Sequence, residues 1–308
     1  MKPIYLIEII SLAAIWGSSF IYMRIGSPEF GPFLFMALRT LTASLFLLPL
    51  VYIAKQQGAL NGYKLKMLLA GQLNTAIPFV LFGYATLTLS AGTTSVLNST
   101  TPMFGAIVAY LWLKQTLSVS ASIGLLIGFI GVYFLVFDNI SNKDINSIGP
   151  ASIGPATAVL IASFCYGFSA NYAKKYLNGI NPIALAAGSQ LSATLTLVPI
   201  SLFFIPTTMP SHEAFTSVFL LGVVCTGIAY IIFFRLIANL GPARAMSVTY
   251  FIPAFGLLWG NVFLDETISQ WMTIGCILIL LGVALTTGVF EFKNKEQRTN
   301  NKEQTTNH

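Results

Sequence analysis

The sequence predicts an all-α membrane protein of ten transmembrane helices arranged as two inverted five-helix repeats. Three observations predict it: a composition too apolar for a water-facing surface, ten evenly spaced apolar runs, and an internal repeat. Of 308 residues, 8% are charged and 55% hydrophobic, with a mean hydropathy of +0.76. So few charges cannot cover a folded chain in water. Each apolar run is roughly 20 residues long, which at about 1.5 Å per residue matches a hydrocarbon core of about 30 Å.

The expected spans are residues 4–23, 32–53, 67–87, 91–113, 118–137, 152–173, 182–205, 216–237, 243–264 and 269–289. The first carries Glu8 near its start and "AAIWGSSF" beyond it; its symmetry with the sixth span marks it as a retained helix, not a signal peptide. The second opens at Pro32 and holds Arg39. The third contains Gln72 and Asn74, and the fourth Asn98 and Pro102. "GLLIG" in the fifth and "GLLWG" in the ninth are small-residue faces suited to helix packing within one chain. The sixth reads "YGFS" from Tyr166 and ends near Asn171; the eighth holds Thr226 and Tyr230, the ninth Tyr250 and Pro253.

Laying the second half on the first at an offset of 150 aligns Trp16 with Tyr166, Gly17 with Gly167, Ser19 with Ser169 and Pro49 with Pro199. At an offset of 151 Gly71 meets Gly222, Pro102 meets Pro253, Ser118 meets Ser269, Gly124 meets Gly275 and Gly131 meets Gly282. That is a repeat of five spans, residues 4–137 and again 152–289. An odd number of spans per half makes the second enter the membrane from the opposite side. Charge agrees: with the N-terminus inside, Lys2, Lys55, Lys64, Lys66, Lys114, Lys174, Lys175, Arg235, Arg244 and the basic residues of the tail fall on the cytoplasmic side, and Arg24 and Lys143 outside. "WLKQTLS" inside faces its mate "FLDETIS" outside. The tail 293–308, polar and aperiodic, is expected to be disordered and cytoplasmic. Inverted halves give two related shapes, one open to each side, which is the basis of alternating access and favours a transporter.

Carrying these features, "AAIWGSSF", "LRTLTASLFLLPL", "TTPMFGAIVAYLWLKQTLS" and the echo "FIPAFGLLWGNVFLDETIS" resemble the EamA-type members of the drug/metabolite transporter superfamily. The resemblance covers about residues 4–290. It implies a central cavity lined mainly by spans 1, 3, 4, 6, 8 and 9, with spans 5 and 10 at the periphery. Lys114 and Gln115 stand where the family usually has an acidic residue, a departure that bears on that loop's contacts alone.

On those cavity spans the candidate substrate-binding residues are Trp16, Ser19, Asn74, Asn98, Tyr166, Asn171, Tyr230 and Tyr250. Amides and hydroxyls are costly against lipid, so they either bind substrate or bond between helices. Pro102 and Pro253 each free a carbonyl four residues earlier, at a kink that could gate the path or merely pack. Arg39 lies about 10 Å past Pro32, shallow enough to snorkel as an anchor, or to guard the rim and attract a carboxylate. Glu8 could couple protons or sit as an interfacial acid; no other acid lies inside a span, which disfavours a cationic drug as substrate.

Three unpaired cysteines and two isolated histidines predict neither disulfide nor metal site, and no nucleotide or catalytic motif predicts a cofactor or an enzyme. The expected activity is export of small polar metabolites, amino acids or related compounds, across a bacterial inner membrane with both termini cytoplasmic. The expected partners are a small-molecule substrate and membrane lipid, without nucleic acid; a monomer is compatible with the sequence. An uptake carrier or exchanger for nucleotide-type substrates would need cavity cations, for which Arg39 and Lys174 are the candidates. A channel or intramembrane enzyme fits the symmetry less well.

Overall fold

The computed structural model describes residues 3–141 and 150–288, all helix and connection with no strand among them. Eight helices are long and apolar enough to cross a membrane: α1 (Pro3–Phe30), α2 (Pro32–Ile53), α3 (Lys64–Ala85), α4 (Ala91–Leu113), α5 (Val119–Ser141), α6 (Pro150–Tyr176), α7 (Pro182–Phe204) and α8 (His212–Leu240). Two shorter apolar helices, α9 (Val248–Leu264) and α10 (Gln270–Thr286), complete the set of ten. The tail 293–308 and Lys143 lie outside the described residues.

Helix ends are set by local chemistry repeated in both halves. Pro32 and Pro182 stand at the first helical position of α2 and α7, where the missing N–H costs nothing. Ser118 and Ser269 cap α5 and α10, accepting from the N–H of Ala121 (3.1 Å) and Met272 (2.9 Å). Lys114 and Asp265, equivalent at the offset of 151, both end their helices in the left-handed conformation, with φ of 55° and 51°. In each the next N–H returns to a carbonyl six residues back, from Gln115 to Ala109 and from Glu266 to Gly260. Two π-helical stretches, Gln72–Ala76 in α3 and Leu220–Ile228 in α8, also superpose at that offset.

Several boundaries differ from the expected ones. Helix α1 continues to Phe30, so Arg24 lies within it and donates to the carbonyls of Thr86 and Leu87 at 2.8 Å each, closing the end of α3. Asp138, expected in a loop, is buried in α5 and accepts from Ser269 at 2.7 Å. Helix α9 begins at Val248 after a single turn at Pro242–Ala245. Helix α4 is interrupted at Ser99 and Thr100.

Packing follows the repeat. Helix α1 lies on α9 as α6 lies on α4; α1 meets α8 as α6 meets α3; α2 meets α8 as α7 meets α3. Three further pairs, α5 with α10, α2 with α7 and α4 with α9, join a helix to its own counterpart. These run antiparallel. Gly124 faces Gly282 while Gly131 faces Gly275, and Phe33 stacks on Phe204 while Leu47 sits with Ala186 and Ala187. Ser44 and Thr194, equivalent at the offset of 150, touch directly through their hydroxyls at 3.1 Å. Outward faces carry large apolar side chains such as Leu45, Leu126, Leu195 and Phe263, as hydrocarbon contact requires.

Two outcomes are expected. A Cβ at Gly282 would meet the Gly124 carbonyl oxygen at 2.5 Å and Gly128 Cα at 2.6 Å, so Gly282→Val should cost about 1–3 kcal/mol by overpacking, lowering the unfolding midpoint of the purified protein, while Gly58→Ala leaves it unchanged. The Glu266 carboxylate accepts the N–H groups of Ala91 (2.8 Å) and Gly92 (3.2 Å) at the N-terminus of α4. Glu266→Gln should weaken that end by about 1 kcal/mol, read as faster amide exchange in a peptide spanning Ala91 and Gly92.

Candidate functional site

Between the two halves lies a cavity of about 400 Å³. Its wall is built from equivalent residues: Trp16 with Tyr166, Ser19 with Ser169, Arg39 with Ser189, Asn74 with Cys225, Phe79 with Tyr230, Phe82 with Phe233, Asn98 with Thr249 and Thr101 with Ile252. Ring contacts repeat too, Trp16 on Phe233 at 5.2 Å between centroids and Tyr166 on Phe82 at 5.8 Å. These large aromatics hold apart helices that close up elsewhere: Gly17 abuts Phe255 and Gly256, and Gly167 abuts Phe104 and Gly105, so that each tryptophan or tyrosine sits next to a tight crossing.

Apart from Thr226, the wall residues lacking a counterpart on the wall cluster at one end. Met67, Ala70, Pro182, Leu185, Ala186, Phe234 and Met246 carry the cavity toward the end where α1, α3, α7 and α9 begin. Their equivalents at the other end are packed shut, with Phe35, Met36, Ser95 and Leu221 fully buried. That sealed end is fastened by Glu29, which accepts the N–H of Ser211 at 2.6 Å and its hydroxyl at 2.8 Å, and by rings of Phe20 on Phe82 and Phe30 on Phe215. At the open end Glu8 pairs with Arg235 at 3.1 Å, and the Tyr5 hydroxyl donates to Asn239.

The structure gathers Trp16, Ser19, Asn74, Asn98, Tyr166, Tyr230 and Arg39 onto the wall. Arg39 is not at a rim: it is 7% exposed and turned inward, its Nε donating to Thr226 Oγ1 at 3.4 Å and its Cζ lying 3.6 Å over the Phe79 ring. Two expected wall residues, Asn171 and Tyr250, lie off the wall. Asn171 spends its amide on the carbonyls of Gly105 and Gly167, 2.9 Å each, tying α6 to α4. Tyr250 points away from the cavity to the hydroxyl of Thr287 beyond α10. Pro102 opens the second half of α4, and the Asn98 carbonyl it frees is taken by the Thr101 hydroxyl at 2.8 Å. Pro253 is buried inside α9, and Glu8 stands off the wall.

Sequence reasoning left out Phe79, Phe82, Phe233 and the contribution of α7, through Leu185, Ala186 and Ser189, and expected Arg39 of α2 at the rim. An apolar residue in an apolar helix gives no face to read. One signal was available: Phe82 and Phe233 are identical residues at the offset of 151.

Relatives span nearly the whole chain. The uncharacterized transporter YoaV of Bacillus subtilis is 24% identical over 92% of this chain and 97% of its own length. The uncharacterized inner membrane transporter YedA of Escherichia coli K12 is 28% identical over 92% of this chain and 91% of its own. A protein of known crystal structure shares the fold, with a TM-score of 0.65 at 15% identity over 96% of this chain and 100% of that one. The EamA-like transporter family model fits twice, over residues 3–137 and 154–288. A helical bundle with a cavity shared between its halves, matched by that model along both, makes this chain a member of the EamA-like transporter family.

Proposed function

We propose that the chain exports small polar metabolites, amino acids or related compounds, across a bacterial inner membrane by alternating access. The carrying observation is the cavity itself: its middle is lined by equivalent residues of the two halves, yet it continues toward one end and is sealed at the other. If the halves exchanged conformations, Phe35, Met36 and Ser95 would come to line the path and Leu185, Ala186 and Met246 would close. The antiparallel pairs α5 with α10 and α2 with α7, and the Ser44 contact with Thr194, support two inverted repeats about an axis in the membrane plane. With the N-terminus cytoplasmic, as the distribution of Lys and Arg favours, the open end is the one from which an exporter loads. The name of the Escherichia coli relative agrees with an inner-membrane location.

Trp16, Ser19, Asn74, Asn98, Tyr166 and Tyr230 would form the binding surface, aromatic faces against the body of the substrate and amides or hydroxyls on its polar groups. The hinge is assigned to the π stretches of α3 and α8, where irregular backbone permits a change of register.

The reading is tested by counterflow in proteoliposomes with labelled amino acids and related metabolites. Saturable exchange is expected; flux that never saturates would indicate a channel. Alternation is tested at the sealed end with Glu29→Cys and Ser211→Cys together and a short bis-methanethiosulfonate cross-linker, which joins the two thiols through reducible disulfides. Cross-linking should abolish exchange and reduction restore it, whereas undiminished exchange would mean that this end never opens.

A further inference from the structure

Arg39 is the charged residue of the cavity wall; no Lys, Asp, Glu or His joins it among the described residues. The equivalent position in the other half carries no charge. Ser189 there donates or accepts at 2.7 Å with Thr75, and Arg39 makes the matching contact with Thr226, the equivalent of Thr75. One half thus fills the position with a small neutral hydroxyl and the other with a guanidinium.

The guanidinium is poorly satisfied by the protein. A long bond to Thr226, a contact from Nη1 to the Met23 sulfur at 3.9 Å and the Phe79 face are its partners, and the Thr226 hydroxyl is itself donating to the Leu221 carbonyl at 2.9 Å. Its fork carries five N–H donors, and no carboxylate lies within 4 Å among the described residues. A cation buried without an anion is costly, and an anion that completes the fork recovers that cost.

We propose that Arg39 is the receptor for a carboxylate on the transported molecule, and that the substrate class is the organic monoanion, with or without an amino group. A single wall cation balances one negative charge; a phosphate dianion would bring a second with nothing to meet it. An ammonium finds no acid on the wall, so the amino group is optional and the carboxylate is not. The Phe79 ring lies against the guanidinium, 3.6 Å from Cζ, and Tyr166 and Tyr230 line the same cavity.

This inference rests on the transport reading and is tested within it. Counterflow is run with wild-type protein on the leucine, phenylalanine and serine frames, each as the amino acid, the des-amino carboxylate, the des-amino amide and the amino-acid amide. For the frame that exchanges, both carboxylate forms should compete about 10- to 100-fold better than both amides. Arg39→Gln and Arg39→Ser, the latter copying the residue of the other half, should level the four forms, and Arg39→Lys should retain a preference for carboxylates. Amides competing as well as carboxylates in the wild type, or a carboxylate preference surviving Arg39→Ser, would overturn the inference and leave transport standing. No saturable exchange of any form on any frame would sink the transport reading and the inference with it.

Discussion

Helices in hydrocarbon gain nothing from hiding apolar side chains, since lipid tails are equally apolar; they hold together by how closely their backbones can approach. Everything in this fold is arranged around that constraint. Where Gly124 meets Gly282 and Gly131 meets Gly275, α5 and α10 touch backbone to backbone and form a tight seam that contributes nothing to the cavity wall. Gly17 and Gly167 bring α1 and α6 equally close to α9 and α4. The cavity is the region between these seams, where Trp16, Phe82, Tyr166 and Phe233 substitute bulk for glycine and keep the helices apart.

A membrane interior also leaves no water to satisfy stray backbone groups, and the irregular segments account for theirs one by one. Thr226 turns its hydroxyl to the Leu221 carbonyl in the π stretch of α8, Thr101 answers the carbonyl of Asn98 at the break in α4, and Arg24 covers two carbonyls at the end of α3. Because side chains carry these bonds, the irregular segments can exist beside the cavity without cost to the rest, and the same side chains could release them in a change of shape.

The fold was legible because its signals are long: ten apolar runs and an offset maintained through glycines and prolines. Boundaries were less so, since Arg24 lies in the last two turns of α1 and Glu29 and Asp138 in the last turns of α1 and α5, and charge there reads as loop. The site was legible where a polar residue is out of place in lipid, as with Asn74, Asn98 and Tyr230. It was not legible which way such a residue faces. Asn171 and Tyr250 lie on helices that border the cavity but turn to a neighbouring helix, because helices apolar on all sides carry no periodic record of their inner face. Arg39 was read as shallow from its distance along α2, whereas its depth is set by Phe79 and Thr226 on other helices.

The latch made by Glu266 on the N-terminus of α4 has no twin. Its equivalent Gln115 is uncharged, and the residue matching Ala91 is Pro242, which has no N–H to offer. In the proposed cycle the two halves would be alike in shape and unequal in free energy, since closing one face of the membrane would keep a charge-assisted contact that closing the other could not form. A difference of about 1.4 kcal/mol is a tenfold bias between the two resting forms. A molecule of fixed intrinsic affinity would then meet different apparent affinities on the two faces, set by how often each face is available. On that reading, rectification of flux would begin in one carboxylate outside the proposed binding site.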